Sequence, residues 1–474
     1  MDATSLPPPG PLRARALLRA TEETDDVFGI LHLFAQALDQ PDLTPDLRAE
    51  IHLLRAQWES AALGRLSDAI ASFGAAANAG PSLGLLGCAK AGDAYYRFRG
   101  GEPLDMPSFD RAVALSQQAA DPQLRAFPRL LRALAIGTSD LVKACELLEV
   151  ELREAAESGE ILDFVEVTHH LATAKLQRGD FAAARDHLDR AETHARAPGI
   201  RARHLAMRAE VDAAFGNEAA ARSYASVAAT ALSESGDAVG VTRLRIALAT
   251  LELSLGDPEA AWDALEPSVQ TTGALEHPVL VRVFPYAIEA LVELGELVQS
   301  TRLAKRLENA ESILTRWRGP ALRARALVQA PIDRDGTLSL FDSALDTDET
   351  LGSAFESART LFARGRVLRR WKRRRAARES LEAALARFEE MGARLWAGRV
   401  AHELERTAAR RAGKRELTQS DAQIARLAAS GSTNREIAQT VFVSTKTVEA
   451  ALSRVYGTLG VRSRTELAAL RTPF

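Results

Sequence analysis

Apolar residues recur at three- and four-residue intervals in successive blocks along most of the chain, the period of amphipathic helices. The blocks are themselves periodic. In GDFAAARDHLDRAE, beginning at Gly179, a small residue stands five positions on (Ala184), a larger apolar one at nine (Leu188) and a small one at twelve (Ala191). The same register begins at Gly64 (Ala69, Phe73, Ala76), Gly216 (Ala221, Ala225, Ala228), Gly256 (Ala261, Leu265, Ser268) and Lys372 (Ala377, Leu381, Ala384). Weaker copies begin at Gly100 (Phe109, Ala112), Ser139 (Ala144, Leu148), Gly295 (Ser300, Ala304, Leu307) and Ile332 (Thr337, Phe341, Ala344), so that successive starts lie 36 to 40 residues apart. Each unit reads as a helix, a tight turn and a second helix. Its small positions let neighbouring helices approach, and its larger one fills the gap, so each hairpin buries its apolar side against the next.

The pattern therefore predicts an all-α protein, a TPR-like α-solenoid of helical hairpins over residues 25–408, with units longer than the ~34 residues of the standard repeat. Curvature of such a stack predicts a concave groove for an unknown protein, peptide or small-molecule ligand, although most residues in the register are there for packing. Ahead of it, MDATSLPPPGPL has no apolar core of a signal peptide, and its prolines predict a flexible lead-in over residues 1–24. Behind it, ARRAGKRE at 409–416 reads as a linker.

The pattern changes over residues 417–474. Thr418 to Asp421 has the Ser/Thr-x-x-acid form of a capping box opening a short helix with Ile424, Leu427 and Ala428. Thr433 to Glu436 opens a second, with Ile437, Ala438 and Val441, and Gly431 separates the two. After a turn at Phe442 and Val443, Ser444 caps a third helix whose Val448, Leu452, Val455 and Leu459 form a core-facing stripe. Its other face carries Lys446, Glu449, Ala450, Ser453 and Arg454; Gly460 ends it and a fourth helix runs from Arg464 to about Leu470. Two short helices at a sharp turn, the second with small and basic residues outward, form a helix-turn-helix whose second helix fits the major groove. The candidate DNA-binding residues are Thr433, Asn434, Arg435, Ser444, Thr445, Lys446, Thr447, Glu449, Ala450, Ser453, Arg454, Arg462 and Arg464.

Charge agrees with this placement. Residues 359–415 hold 18 Lys/Arg against 6 Asp/Glu and residues 416–474 hold 7 against 5, whereas residues 1–358 hold 35 against 52. A basic C-terminal quarter on an acidic body points to a polyanion partner near the C-terminus. The densest cluster, GRVLRRWKRRRAAR at 365–378, falls in and beside a hairpin turn and reads first as a solvated turn, second as a phosphate contact.

Leu417-Thr418, Gly431 with Thr433-Asn434-Arg435-Glu436-Ile437-Ala438, Val443-Ser444 with Lys446-Thr447-Val448-Glu449, and Leu459-Gly460-Val461-Arg462-Ser463-Arg464 together resemble the four-helix DNA-binding domain of LuxR-type bacterial regulators. The preceding repeats resemble the arm of the large ATP-binding, MalT-like members. The resemblance implies a cytoplasmic transcription regulator whose third helix enters the major groove and whose fourth helps form a homodimer on a two-fold operator. Ser420-Asp421 stands where the family usually has Arg-Glu, Ala451 where it often has His, and Gly457-Thr458 where it has a basic pair. Fewer cations release fewer counterions, so binding by a single domain is expected to be weak.

No Gly-x-x-x-x-Gly-Lys-Ser/Thr loop occurs, so the ATPase domain of the MalT-like group is not expected; GPSLGLLGCAK at Gly80 lies among helical repeats. Cys88 and Cys145 form no metal-ligand motif, and His169-His170 point to different sides of a helix. No run of ~18 apolar residues predicts a membrane span. No catalytic set, cofactor site or metal site emerges, and the expected protein is not an enzyme. The alternative reading is an interaction scaffold with a degenerate DNA-binding domain.

Overall fold

A computed structural model describes residues 7–159, 161–271, 278–309, 315–412 and 417–469. Among them every regular element is a helix, and no helix is long and apolar enough to cross a membrane. The chain divides into two compact units, Met1–Leu404 and Glu405–Phe474.

The first unit is built from helical hairpins in the register read from the sequence. Every small and large marker position is buried, from Ala69, Phe73 and Ala76 through Ala184, Leu188 and Ala191 to Ala377, Leu381 and Ala384. At the turns, Gly64, Gly179, Gly216, Gly256 and Gly295 take φ between 69° and 92°, a conformation that costs glycine nothing. Lys372 adopts the same left-handed turn, at φ 63°, without that advantage. The glycines after Gly80 serve packing: a Cβ on Gly92 would stand 2.2 Å from the Phe73 ring, so this helix, Leu83–Arg99, can approach its neighbour only because the side chain is missing.

Where the sequence predicts an open concave groove, the structure places helices packed on all sides. Helix Val283–Leu294 is buried at every position from Val283 to Val292, and helices Pro198–Phe215, Ala238–Leu255 and Ala354–Arg370 are nearly as enclosed. The stack winds tightly enough for distant hairpins to touch. Phe181 meets Phe355 edge to face at 5.4 Å, Arg399 donates to the carbonyl of Leu253, and the Val27 amide donates to the carbonyl of Ser235 at 2.9 Å. The inward faces meet one another there instead of lining a groove.

The space between them holds an ionic ladder. Arg282 and Arg243 both donate to Glu210, Arg243 at 2.9 Å. Arg323 donates to Glu356 at 2.8 Å, Arg359 to Glu289 at 2.7 Å, and the Tyr286 hydroxyl to Glu356 at 3.2 Å. Arg359 also lies 4.2 Å over the Tyr286 ring and 5.1 Å over Trp396. Burial alone would raise the Glu356 carboxyl, but Arg359 and Arg323 outweigh it and hold its pKa below the usual value.

Nearby, half-buried His169 and buried His204 share a hydrogen bond of 3.1 Å between ring nitrogens. Burial pushes His204 down to about 4, and burial and the facing His204 push His169 well below the ordinary imidazole value. Both rings are therefore neutral in the fold, whereas the unfolded chain takes up protons below about pH 6.5. Stability is full above that value and falls as pH drops towards 4. For His204 alone the loss at about pH 5 amounts to roughly 2 kcal/mol. Urea midpoints should therefore fall between about pH 7.5 and about pH 5, and His204→Asn should flatten that dependence. An equally steep fall in the variant would show that other groups cause it.

Two sequence expectations require correction. Residues 11–21 of the expected flexible lead-in form a helix, Pro11–Thr21: proline at its first position suits a helix start, and Ala14 and Leu17 pack with Ile30, Phe34 and Ile51. At the other end, helix Arg394–Ala412 continues through residues 409–412 of the expected linker; residues 413–416 of it lie outside the described residues. In the basic cluster, Arg366 and Arg369 pair with Glu293 and Glu403, and Arg375 and Arg378 with Glu379 and Glu382 one helical turn on. Lys372, Arg373 and Arg374 are exposed at the turn, in keeping with a solvated hairpin end.

Candidate nucleic-acid interface

In the second unit, four short helices, Gln419–Ala429, Asn434–Thr440, Thr445–Leu459 and Arg464–Ala469, enclose one small core. Ile424, Ala428, Ile437, Val448, Leu452, Val455 and Leu467 form it. The first three helices start at the N-cap residues read from the sequence. Thr418 accepts from the Asp421 amide at 3.1 Å, Thr433 and Glu436 make a reciprocal capping box, and Ser444 accepts from the Thr447 amide at 3.1 Å. The Thr433 amide and hydroxyl both donate to the Glu436 carboxylate and hold its pKa below the usual value. Gly431 and Gly460, at φ 96° and 71°, stop the first and third helices.

The turn between the second and third helices is tight. The Val443 amide donates back to the Ala438 carbonyl at 3.0 Å, and Phe442 takes φ 56° with its ring 93% exposed. An aromatic residue in this conformation at the surface is a cost that packing within the unit does not offset. Beyond the turn, Val448, Ala451, Leu452 and Val455 bury one side of the third helix. Thr445, Lys446, Thr447, Glu449, Ala450, Ser453 and Arg454 stand exposed on the other side, with the Ser444 and Thr447 hydroxyls 2.7 Å apart at the start. Thr433 and Arg435 are exposed at the start of the second helix, and Arg462 is exposed before the fourth.

Three of the candidates are tied down. Arg454 donates to Asp421 at 2.8 Å, joining the third helix to the first, and Asp421 is almost completely buried. Arg464 donates to Asn434 at 3.1 Å and to the Ser432 carbonyl, joining the fourth helix to the start of the second. These bonds position the exposed face from behind. Asp421 was legible only as a cap, because its partner lies 33 residues away and no local spacing signals it. Phe442 was read as part of a turn; its exposure has no local signature either.

Gly457 is the weak point of the third helix. It is exposed near the C-terminal end, and a Cβ there would meet nothing within 4 Å. Gly457→Ala is therefore expected to stabilise this unit by about 0.5–1 kcal/mol, read as a rise in its thermal midpoint. No rise would mean that the end of the helix is frayed.

Residues 415–470 match the family model of bacterial regulatory proteins, luxR family. No match to the chain was found among curated proteins. The C-terminal unit is thus a LuxR-type helix-turn-helix domain. Its class is that of DNA-binding transcriptional regulators.

Proposed function

We propose that the chain is a bacterial, cytoplasmic transcription regulator in which residues 417–474 bind duplex DNA, as a homodimer on a two-fold site, and the helical-repeat part docks or senses a partner. The observation that carries this reading is the exposed side of helix Thr445–Leu459: small Ala450 and Ser453 with cationic Lys446 and Arg454, held over a buried stripe and capped by Ser444. A helix of this width enters the major groove. Small residues let its backbone come close, and the capped N-terminus with its hydroxyls meets phosphate. Thr433, Arg435 and Arg462 add backbone contacts in this reading, while Asn434 and Arg464 act as positioning residues. The ion pair with Asp421 leaves Arg454 about half exposed, so it reaches phosphate from a fixed base.

In this reading the helical repeats bind a ligand or partner, and the DNA-binding unit reads out its presence. Such a partner changes DNA affinity only by binding the DNA-competent state more tightly than the other. The test is an anisotropy titration of the full chain against the duplex upstream of its own gene and against random duplex, at two salt concentrations. The expected result is tighter binding to the former, with affinity falling steeply with salt. Equal binding to both would favour the scaffold reading.

A further inference from the structure

The repeat unit contains a cleft of about 630 Å³, lined by both polar and apolar side chains, between hairpins far apart in sequence. One wall is the turn at Gly64 and Arg65; the other is the turn at Ser233 and Gly236 with the start of helix Ala238–Leu255. The Val239 amide, donating to the Ala62 carbonyl at 3.0 Å, holds the walls together. Arg245 lines this cleft half-buried, and its one hydrogen-bond partner among the described residues is the Ser268 hydroxyl, 2.9 Å from Nη1.

What sets Arg245 apart is the absence of an acid. Arg243 on the same helix meets Glu210 at 2.9 Å, and Arg203 meets Asp237 at 2.5 Å, whereas among the described residues no carboxylate stands within 4.0 Å of Arg245. The carboxylates that do line the cleft are engaged elsewhere. Asp237 pairs with Arg203 and caps the Gly240 amide at 2.8 Å, and Asp68 faces Arg65 at 3.8 Å. Burial with no nearby acid lowers the Arg245 pKa. A guanidinium partly removed from water and left without a counter-charge is costly unless an anion completes it. Beside it stand the buried hydroxyls of Thr242 and Ser268, 3.5 Å apart.

We propose that this cleft binds a metabolite-sized anion, an organic carboxylate or a phosphate ester, with Arg245 on its charged group and the Ser268 and Thr242 hydroxyls beside it. The planar fork of arginine matches either oxyanion with two parallel hydrogen bonds, and the volume falls within the usual range of small-molecule sites. A ligand here touches two hairpins that the chain brings together only by winding, so binding ties one turn of the stack to the next. The site names a ligand class for the repeat part and rests on the proposed function only for any effect on DNA.

The test is made on the full chain without DNA, so its failure is separate from failure of the DNA reading. Calorimetry and thermal shift are measured with citrate, glucose 6-phosphate and inorganic phosphate at constant ionic strength, and with glucose as the neutral control. Saturable binding of citrate or glucose 6-phosphate is expected, weakened about tenfold or more in Arg245→Gln, with glucose silent. Citrate alone would identify a carboxylate site, and the two phosphates a phosphoryl site. If Arg245→Gln lowers the ligand-free thermal midpoint, Ser268→Ala replaces it with the same expectation. No saturable binding of any of the three anions up to about 10 mM, which suffices for a millimolar site, would overturn the proposal. Equal affinity in the variant would do the same.

Discussion

Ala450→Glu is expected to weaken binding to the preferred duplex by about a hundredfold or more while leaving the fold intact. Ala450 is exposed in the middle of helix Thr445–Leu459, where glutamate is a good helix former and displaces nothing. In a groove, however, the new carboxylate would sit between phosphate backbones with its hydration stripped away. Lys446→Ala separates charge from fit. Its loss is expected to be about tenfold and to flatten the dependence of affinity on salt by about one released ion, on random as well as preferred duplex. Ala450→Glu acts mainly on preference. If Ala450→Glu binds as the unaltered chain does, the exposed face of this helix is not the DNA surface.

Arg359→Met is expected to destabilise the repeat unit by about 3–5 kcal/mol. Arg359 is 1% exposed and stands between Glu289 and Glu356, so its removal leaves carboxylates buried beside a deficit of cation. Arg359 is the leading group that holds the Glu356 pKa down, so without it Glu356 protonates more readily and relieves part of the cost, and the gap between variant and unaltered chain should narrow as pH falls towards the carboxylate range. Arg375→Met is the control. Arg375 pairs with Glu379 on the surface, its side chain 94% exposed, and its loss should leave the unfolding midpoint nearly unchanged. Similar effects for both substitutions would mean that water reaches the ladder and that the inward helix faces are not closed.

The hairpins were legible in the sequence because their code is local. Small, large and small residues at fixed distances from a turn describe what each helix needs from its neighbour, and every marker is buried. The filled interior was not legible. Arg323, Arg359, Glu289 and Glu356 look like solvent-facing residues in any single repeat, since isolated charges avoid the core, and only winding brings opposite charges from different hairpins together. The same limit hid Arg245, whose character lies in which charges fail to reach it. At the N-terminus, a proline-rich run was read as breaking structure where its last proline starts a helix.

In the C-terminal unit the caps, the stripe and the outward face followed from short-range rules, and the helices formed as expected from Thr418, Thr433 and Ser444. The links behind that face did not follow. Asp421 with Arg454, and Asn434 with Arg464, are pairs separated by 33 and 30 residues. They also give the departure at Asp421 a role of its own: the shorter acid is buried and holds a cation of the third helix.

Interference mapping on the preferred duplex tests the central claim most directly, because it asks which groove the third helix occupies. Methylation of guanine N7, which projects into the major groove, should abolish binding at discrete positions, whereas a ligand filling the minor groove should leave it intact. Binding that tolerates N7 methylation throughout and is lost to the minor-groove ligand would contradict the account.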